Sequence, residues 1–249
     1  MKKWFLNNYK NYLCLILGIV IMAFSSVFFN NSHFGSDAIY TLNQGLSKLT
    51  HLDTGITNII IGVIAFIVLL IIDRKAIGVG TFLMAIFLGL IISLLFKINI
   101  VPNLSYEYIE SLSFIPTVDF ISIPKVVYLL LQLLYTILAI VLGGFGVALY
   151  IYGNRGISPL EGILIKIQKV SKVPFWVIKI INDIIFYAIG LILGATFGIG
   201  SLIAAFTYGP MISFFGKLLK KSNIIKEEEK LTSKDKRNDK KNKTNKKIK

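Results

Sequence analysis

Gly78-Val79-Gly80-Thr81 opens an apolar run that carries Ala85, Gly89, Ile92 and Ser93. After a spacing of 120 residues, Gly198-Ile199-Gly200-Ser201 opens a second, carrying Ala205, Gly209, Ile212 and Ser213. Six of these eight positions are identical, and the other two exchange Val for Ile and Thr for Ser. Each run is roughly twenty residues long, the length a helix needs to cross a bilayer core. A membrane unit written twice decides the architecture: an all-α, polytopic membrane protein.

Composition agrees. Of 249 residues 55% are hydrophobic, and the mean hydropathy of +0.71 is well above that of soluble domains. Hydropathy marks six spans, near Tyr12–Phe29, Gly55–Ile72, Gly80–Phe96, Val127–Tyr150, Pro174–Leu193 and Ser201–Leu219. Two shorter amphipathic helices, Asp37–Leu49 and Ser158–Val170, sit between spans and are too short to cross alone. They read as interfacial or as re-entrant; the second use is tolerated only where they line a cavity or pack in protein. Ser158-Pro159 is a good helix start, with Ser as cap and Pro in the first turn.

Charge fixes the expected topology. Lys2, Lys3 and Lys10, the Arg74-Lys75 turn, the Arg155–Lys172 segment and the Lys-rich tail all fall on one side if there are six crossings. The positive-inside rule makes that side the cytoplasm, with both termini in. Met1-Lys2-Lys3 has the charge pattern of a signal peptide, but the apolar run is long and no small-x-small site follows, so it reads as a retained first helix. The expected division is a first repeat at 1–97, an external connection at 98–125, a second repeat at 126–219 and a disordered basic tail at 220–249. Three spans per repeat invert the second copy relative to the first. Inverted repeats recur in secondary transporters, an analogy of fold and not of function.

Of the net charge of +14, the chain from Lys220 onward supplies +8, with 13 Lys/Arg against 5 Asp/Glu. That segment lacks the apolar residues to fold and is suited to anionic headgroups. It also lacks the aromatic or groove-reading elements of nucleic-acid binding. Cys14 is the lone cysteine, so there is no intrachain disulfide, and His33 and His51 lack metal-ligand spacing. No cofactor is called for. Nucleophile–base motifs of the familiar enzymes are absent from the sequence, so no enzyme activity is expected.

These motifs resemble the YitT/YczE group of bacterial integral membrane proteins. Members carry Gly-x-Ser-Pro or Gly-Ser-Asp-Pro before a short amphipathic helix, then a Gly-x-Gly-Thr start, then Gly-Pro. The second repeat matches with Gly156-Ile157-Ser158-Pro159, Gly198-Ile199-Gly200-Ser201 and Gly209-Pro210. The first departs: Gly35-Ser36-Asp37 is followed by Ala38, and Gly89 by Leu90. The resemblance implies a multi-pass protein of the bacterial cytoplasmic membrane and no particular activity.

Three features are candidates for chemistry. At Gly78, Gly80, Thr81 and at Gly198, Gly200, Ser201, helix N-termini offer free N–H groups to an anionic solute, with Ser158 as a further hydroxyl. The competing use of such glycines is tight helix packing. Asp183 lies mid-span with Lys179 four residues earlier, either a coupling site for a proton or cation or a structural ion pair. The third is the pair of short helices. The expectation is a secondary transporter or permease for a small solute; the alternative is a non-transporting scaffold or regulatory partner. A homodimer is the oligomer considered.

Overall fold

The computed structural model describes residues 2–104 and 123–221. Eight α-helices follow one another in the described residues: α1 (Lys2–Ser32), α2 (Ala38–Thr50), α3 (Thr54–Ile72), α4 (Val79–Ile98), α5 (Ile123–Tyr152), α6 (Pro159–Ser171), α7 (Phe175–Ile192) and α8 (Ile199–Lys221). A single 3₁₀ turn, Arg74–Ala76, joins α3 to α4. No strand occurs among the described residues. The expected external connection falls largely, and the basic tail almost wholly, outside the described residues.

Five segments are long and apolar enough to cross a membrane: Tyr9–Ser32 of α1, α3, α4, Val126–Tyr152 of α5, and α8. The molecule is therefore a multi-pass integral membrane protein. The expected fifth span, Pro174–Leu193, coincides with α7, an 18-residue helix that is not among these five and carries Lys179 and Asp183 in its first half.

Local chemistry sets the boundaries. The Asp37 carboxylate accepts the Tyr40 N–H at 2.9 Å and caps α2; Asp53 accepts Gly55 N–H at 2.7 Å and caps α3. Pro159 occupies the first turn of α6, where its missing N–H costs nothing. Both short helices end at a left-handed residue, His51 (φ 57°) and Lys172 (φ 59°). Each is preceded by a left-handed turn, His33 and Gly35 (φ 52°, 103°) before α2, Asn154 and Gly156 (φ 48°, 139°) before α6. Every one of these backbone features recurs after 121 residues.

α1 and α5 form the central pair. They approach at Gly18 and Gly146: a Cβ on Gly18 would lie 2.7 Å from Tyr150 N and 2.8 Å from Gly146 O. α4 packs on the α1 side, joining Leu15, Ile19, Met84 and Tyr150 in one buried cluster. α8 packs on the α5 side, joining Phe29, Ala139, Ile140 and Ala204 in another. Without a hydrophobic drive between helices in lipid, such close seams rest on dispersion contacts that small residues permit. α3 lies against α4.

The short helices cross over. α2 packs on α7, and α6 packs on α3. Thr41 of α2 meets Gly190 of α7, where a Cβ would lie 2.7 Å from Thr41 O, and Gly162 of α6 meets Leu69 of α3 at the same hypothetical 2.7 Å. Their outer ends are tied by Lys48 Nζ donating to Gly194 O at 2.7 Å and by a Lys166–Asp73 ion pair at 3.6 Å.

Candidate functional site

The two glycine-led helix starts are joints. Gly80 N–H donates to Arg155 O and Gly200 N–H to Phe34 O, each at 2.8 Å. Each start thus docks on the left-handed turn that precedes the short helix of the opposite half. A Cβ on Gly78 would collide with Arg155 O, and one on Gly198 with Phe34 O. Thr81 and Ser201 are wholly buried. Thr81 Oγ1 accepts Gly78 N–H at 3.1 Å, and Ser201 Oγ accepts Ser36 N–H at 3.0 Å. The Gly80 and Gly200 donors and the Thr81 and Ser201 hydroxyls, read from the sequence either as solute-binding groups or as packing devices, are engaged within the protein. Ser158 is half-buried and its hydroxyl does not cap α6.

Lys179 and Asp183 come together as the i, i+4 spacing predicts. Lys179 Nζ donates to Asp183 Oδ1 at 2.7 Å, and Asn182 Nδ2 donates to the same oxygen at 3.3 Å. The pair is partly open, with 33% and 24% side-chain exposure. One turn further along the same face, Tyr187 Oη donates to Ser36 O at 3.1 Å and to Ser201 O at 3.2 Å. The row Lys179–Asp183–Tyr187 therefore leads straight to the Gly198–Ser201 joint.

Two carboxylates unassigned on sequence grounds complete the site. Asp37 and Glu161, at the starts of α2 and α6, both feel the charges of Lys179 and Asp183. Burial pushes both carboxyls above their ordinary range, against the opposing pull of Lys179. Glu161 Oε2 is buried with no hydrogen-bond partner among the described residues. Asp183 thus pairs directly with the one ammonium, while Asp37 and Glu161 lie within its electrostatic reach, a grouping of charges suited to holding and exchanging protons. The sequence signal for Asp37 and Glu161 was a carboxylate in the opening turn of each amphipathic helix; Tyr187 was signalled by its place four residues after Asp183. Among the described residues no three His, Cys, Asp or Glu side chains converge on a metal position.

Long apolar helices crossed by two short ones, with one partly open ion pair among carboxyls, define a helical membrane protein with an internal polar site. The chain belongs to DUF6198, a family of unknown function, which matches residues 9–217. It is also similar to a protein of Haemophilus influenzae described as uncharacterized, at 23% identity over 208 residues, covering 84% of each chain. No solved structure matches it.

Proposed function

We propose that the chain is a secondary transporter or permease for a small solute, non-catalytic, in a bacterial cytoplasmic membrane. The observation that carries this is the Lys179–Asp183 pair, held inside an apolar helix within electrostatic reach of Asp37 and Glu161. Charge in such a place is expensive and is retained where an ion or solute passes. The repetition after 120–121 residues supports the rest: six spans in two inverted repeats, both termini cytoplasmic, with α2 and α6 as short segments packed in protein. On this reading 1–97 and 126–219 are the two repeats, 98–125 is external and 220–249 is a cytoplasmic tail. The glycine starts Gly78–Thr81 and Gly198–Ser201 position the halves, and Asp183 is the coupling group with Lys179 as its counter-charge. The kinship with the YitT/YczE group is part of the same reading.

The test uses purified protein in proteoliposomes on a solid-supported membrane. Panels of amino acids, small amines and carboxylates are applied with and without a proton gradient. The expected result is a gradient-dependent current with at least one class, lost in Asp183→Asn at unchanged membrane abundance. Silence toward all classes, with a stoichiometric protein partner on purification, would replace transport by the scaffold reading.

A further inference from the structure

Gly62 on α3 and Asp183 on α7 hold corresponding places, 121 residues apart. On α3 the glycine makes a seam with α4. A Cβ on Gly62 would lie 2.6 Å from Ala85 O, one on Gly89 would lie 2.5 Å from Ile59 Cγ1, and one on Gly55 would collide with Gly89 O and Ser93 Oγ. The α4 side of this seam, Ala85, Gly89 and Ser93, is repeated on α8 as Ala205, Gly209 and Ser213.

There the same face stands open. A Cβ on Gly209 would meet nothing within 4 Å, and Ala205 and Ser213 are exposed. Of the most apolar stretch of α4, 39% is buried; of α8, 11%. α7 meets α8 at one end, where Tyr187 donates to Ser201 O and packs edge-on against Phe197 at 5.4 Å. From that joint the two helices part, and α7 does not pack along α8 as α3 packs along α4. In the places of Ile59 and Gly62 α7 carries Ile180 and Asp183, and in sequence Gly55 corresponds to Trp176.

We infer that the gap between α7 and α8 is the cytoplasmic gate to Asp183, and that the structure is the inward-open state. This rests on the transport reading and its topology, in which the start of α7 and the end of α8 face the cytoplasm. The gate closes when α7 takes up on Ala205–Gly209–Ser213 the position α3 holds on Ala85–Gly89–Ser93. The face on α8 thus has a defined occupant within the chain itself. Closure brings Asp183 against α8 and strips water from the Lys179–Asp183 pair, at a desolvation cost set by the charge there. Removing both charges together therefore eases closure, whereas neutralising Asp183 alone leaves the Lys179 ammonium without its partner and opposes it, which ties the movement to the state of the pair.

Disulfide trapping in native membranes tests this, in a Cys14→Ser background. The pair Ile180→Cys/Gly209→Cys reports the gate. Ile59→Cys/Gly89→Cys reports the closed seam; the smaller side chain at 59 relieves the contact with Ile59 Cγ1 but not that with Gly55 O, so the membrane abundance of this pair is measured beside its yield. With copper-phenanthroline, and peptides read by mass spectrometry, the 59/89 pair should link nearly fully and the 180/209 pair in part. Adding Lys179→Met/Asp183→Asn, which removes both charges, should raise the 180/209 yield at least twofold. No 180/209 disulfide where 59/89 links would overturn the gate, as would a 180/209 disulfide formed between two copies. An unchanged yield with Lys179→Met/Asp183→Asn would overturn the tie to the charge pair. The readout needs no solute, so its failure leaves the role of Asp183 in transport to the proteoliposome currents.

Discussion

Adding one methyl group at Gly89 and at Gly209 makes the same chemical change at two places related by the duplication. The surroundings differ. At Gly89 the new Cβ would collide with Gly55 O and lie 2.5 Å from Ile59 Cγ1, a contact that backbone can relieve only by moving α3 away from α4. At Gly209 nothing lies within 4 Å. Overpacking of this kind costs about 1–3 kcal/mol, whereas a change into open space stays within about ±0.5 kcal/mol. For a chain of this size that corresponds to a fall in melting temperature of roughly 2–12 °C for Gly89→Ala, against about 2 °C or less for Gly209→Ala. The assay is thermal unfolding in detergent followed by intrinsic fluorescence at a fixed scan rate. Equal losses at the two sites would refute the reasoning, because they would mean that α7 lies closed on α8 in the resting protein.

Gly35 and Gly194 both have positive φ, 103° and 86°, but only Gly35 is enclosed, against Ser201 and Gly198. Gly35→Ala should therefore cost clearly more than Gly194→Ala, which carries backbone strain alone at roughly 1 kcal/mol; comparison of the two melting temperatures checks this. Removing Lys179 alone leaves Asp183 without its cation, so Lys179→Met should accumulate less well in membranes than the double variant Lys179→Met/Asp183→Asn. The reverse order would show that the pair is not interdependent. Burial raises the Glu161 carboxyl above its ordinary 4.5, so its charge opposes folding, and the stability present below pH 4.5 declines as pH rises through the folded value. Glu161→Gln should flatten part of that decline in melting temperature above pH 4.5, and an unchanged pH profile would contradict the buried carboxyl.

Much of this was legible because membrane helices announce themselves by length and by their glycines. The short helices, expected at Asp37–Leu49 and Ser158–Val170, form at Ala38–Thr50 and Pro159–Ser171, since Asp37 and Pro159 carry local starting signals. The Lys179–Asp183 contact followed from helical spacing. The crossing of α2 onto α7 was not legible. It depends on Thr41 meeting Gly190, two residues far apart in the chain with no periodic pattern linking them. The glycine starts were read for their free N–H groups, and no local pattern foretells that a carbonyl of the opposite half, Phe34 or Arg155, takes them. The open face of α8 did leave a trace: Gly55 and Gly62 of the first half are Trp176 and Asp183 in the second, and a close seam does not form around such side chains.

The most direct measurement is the sidedness of Ala205→Cys in a Cys14→Ser background, probed with an impermeant thiol reagent in right-side-out and inside-out vesicles. Ala85→Cys, its counterpart in the packed α3–α4 seam, is the reference. The account predicts that Ala205→Cys reacts from the cytoplasmic face alone and that Ala85→Cys is inert from both. Reaction of Ala205→Cys from the outer face, or inertness from both faces like Ala85→Cys, would contradict a water-filled cytoplasmic path to Asp183.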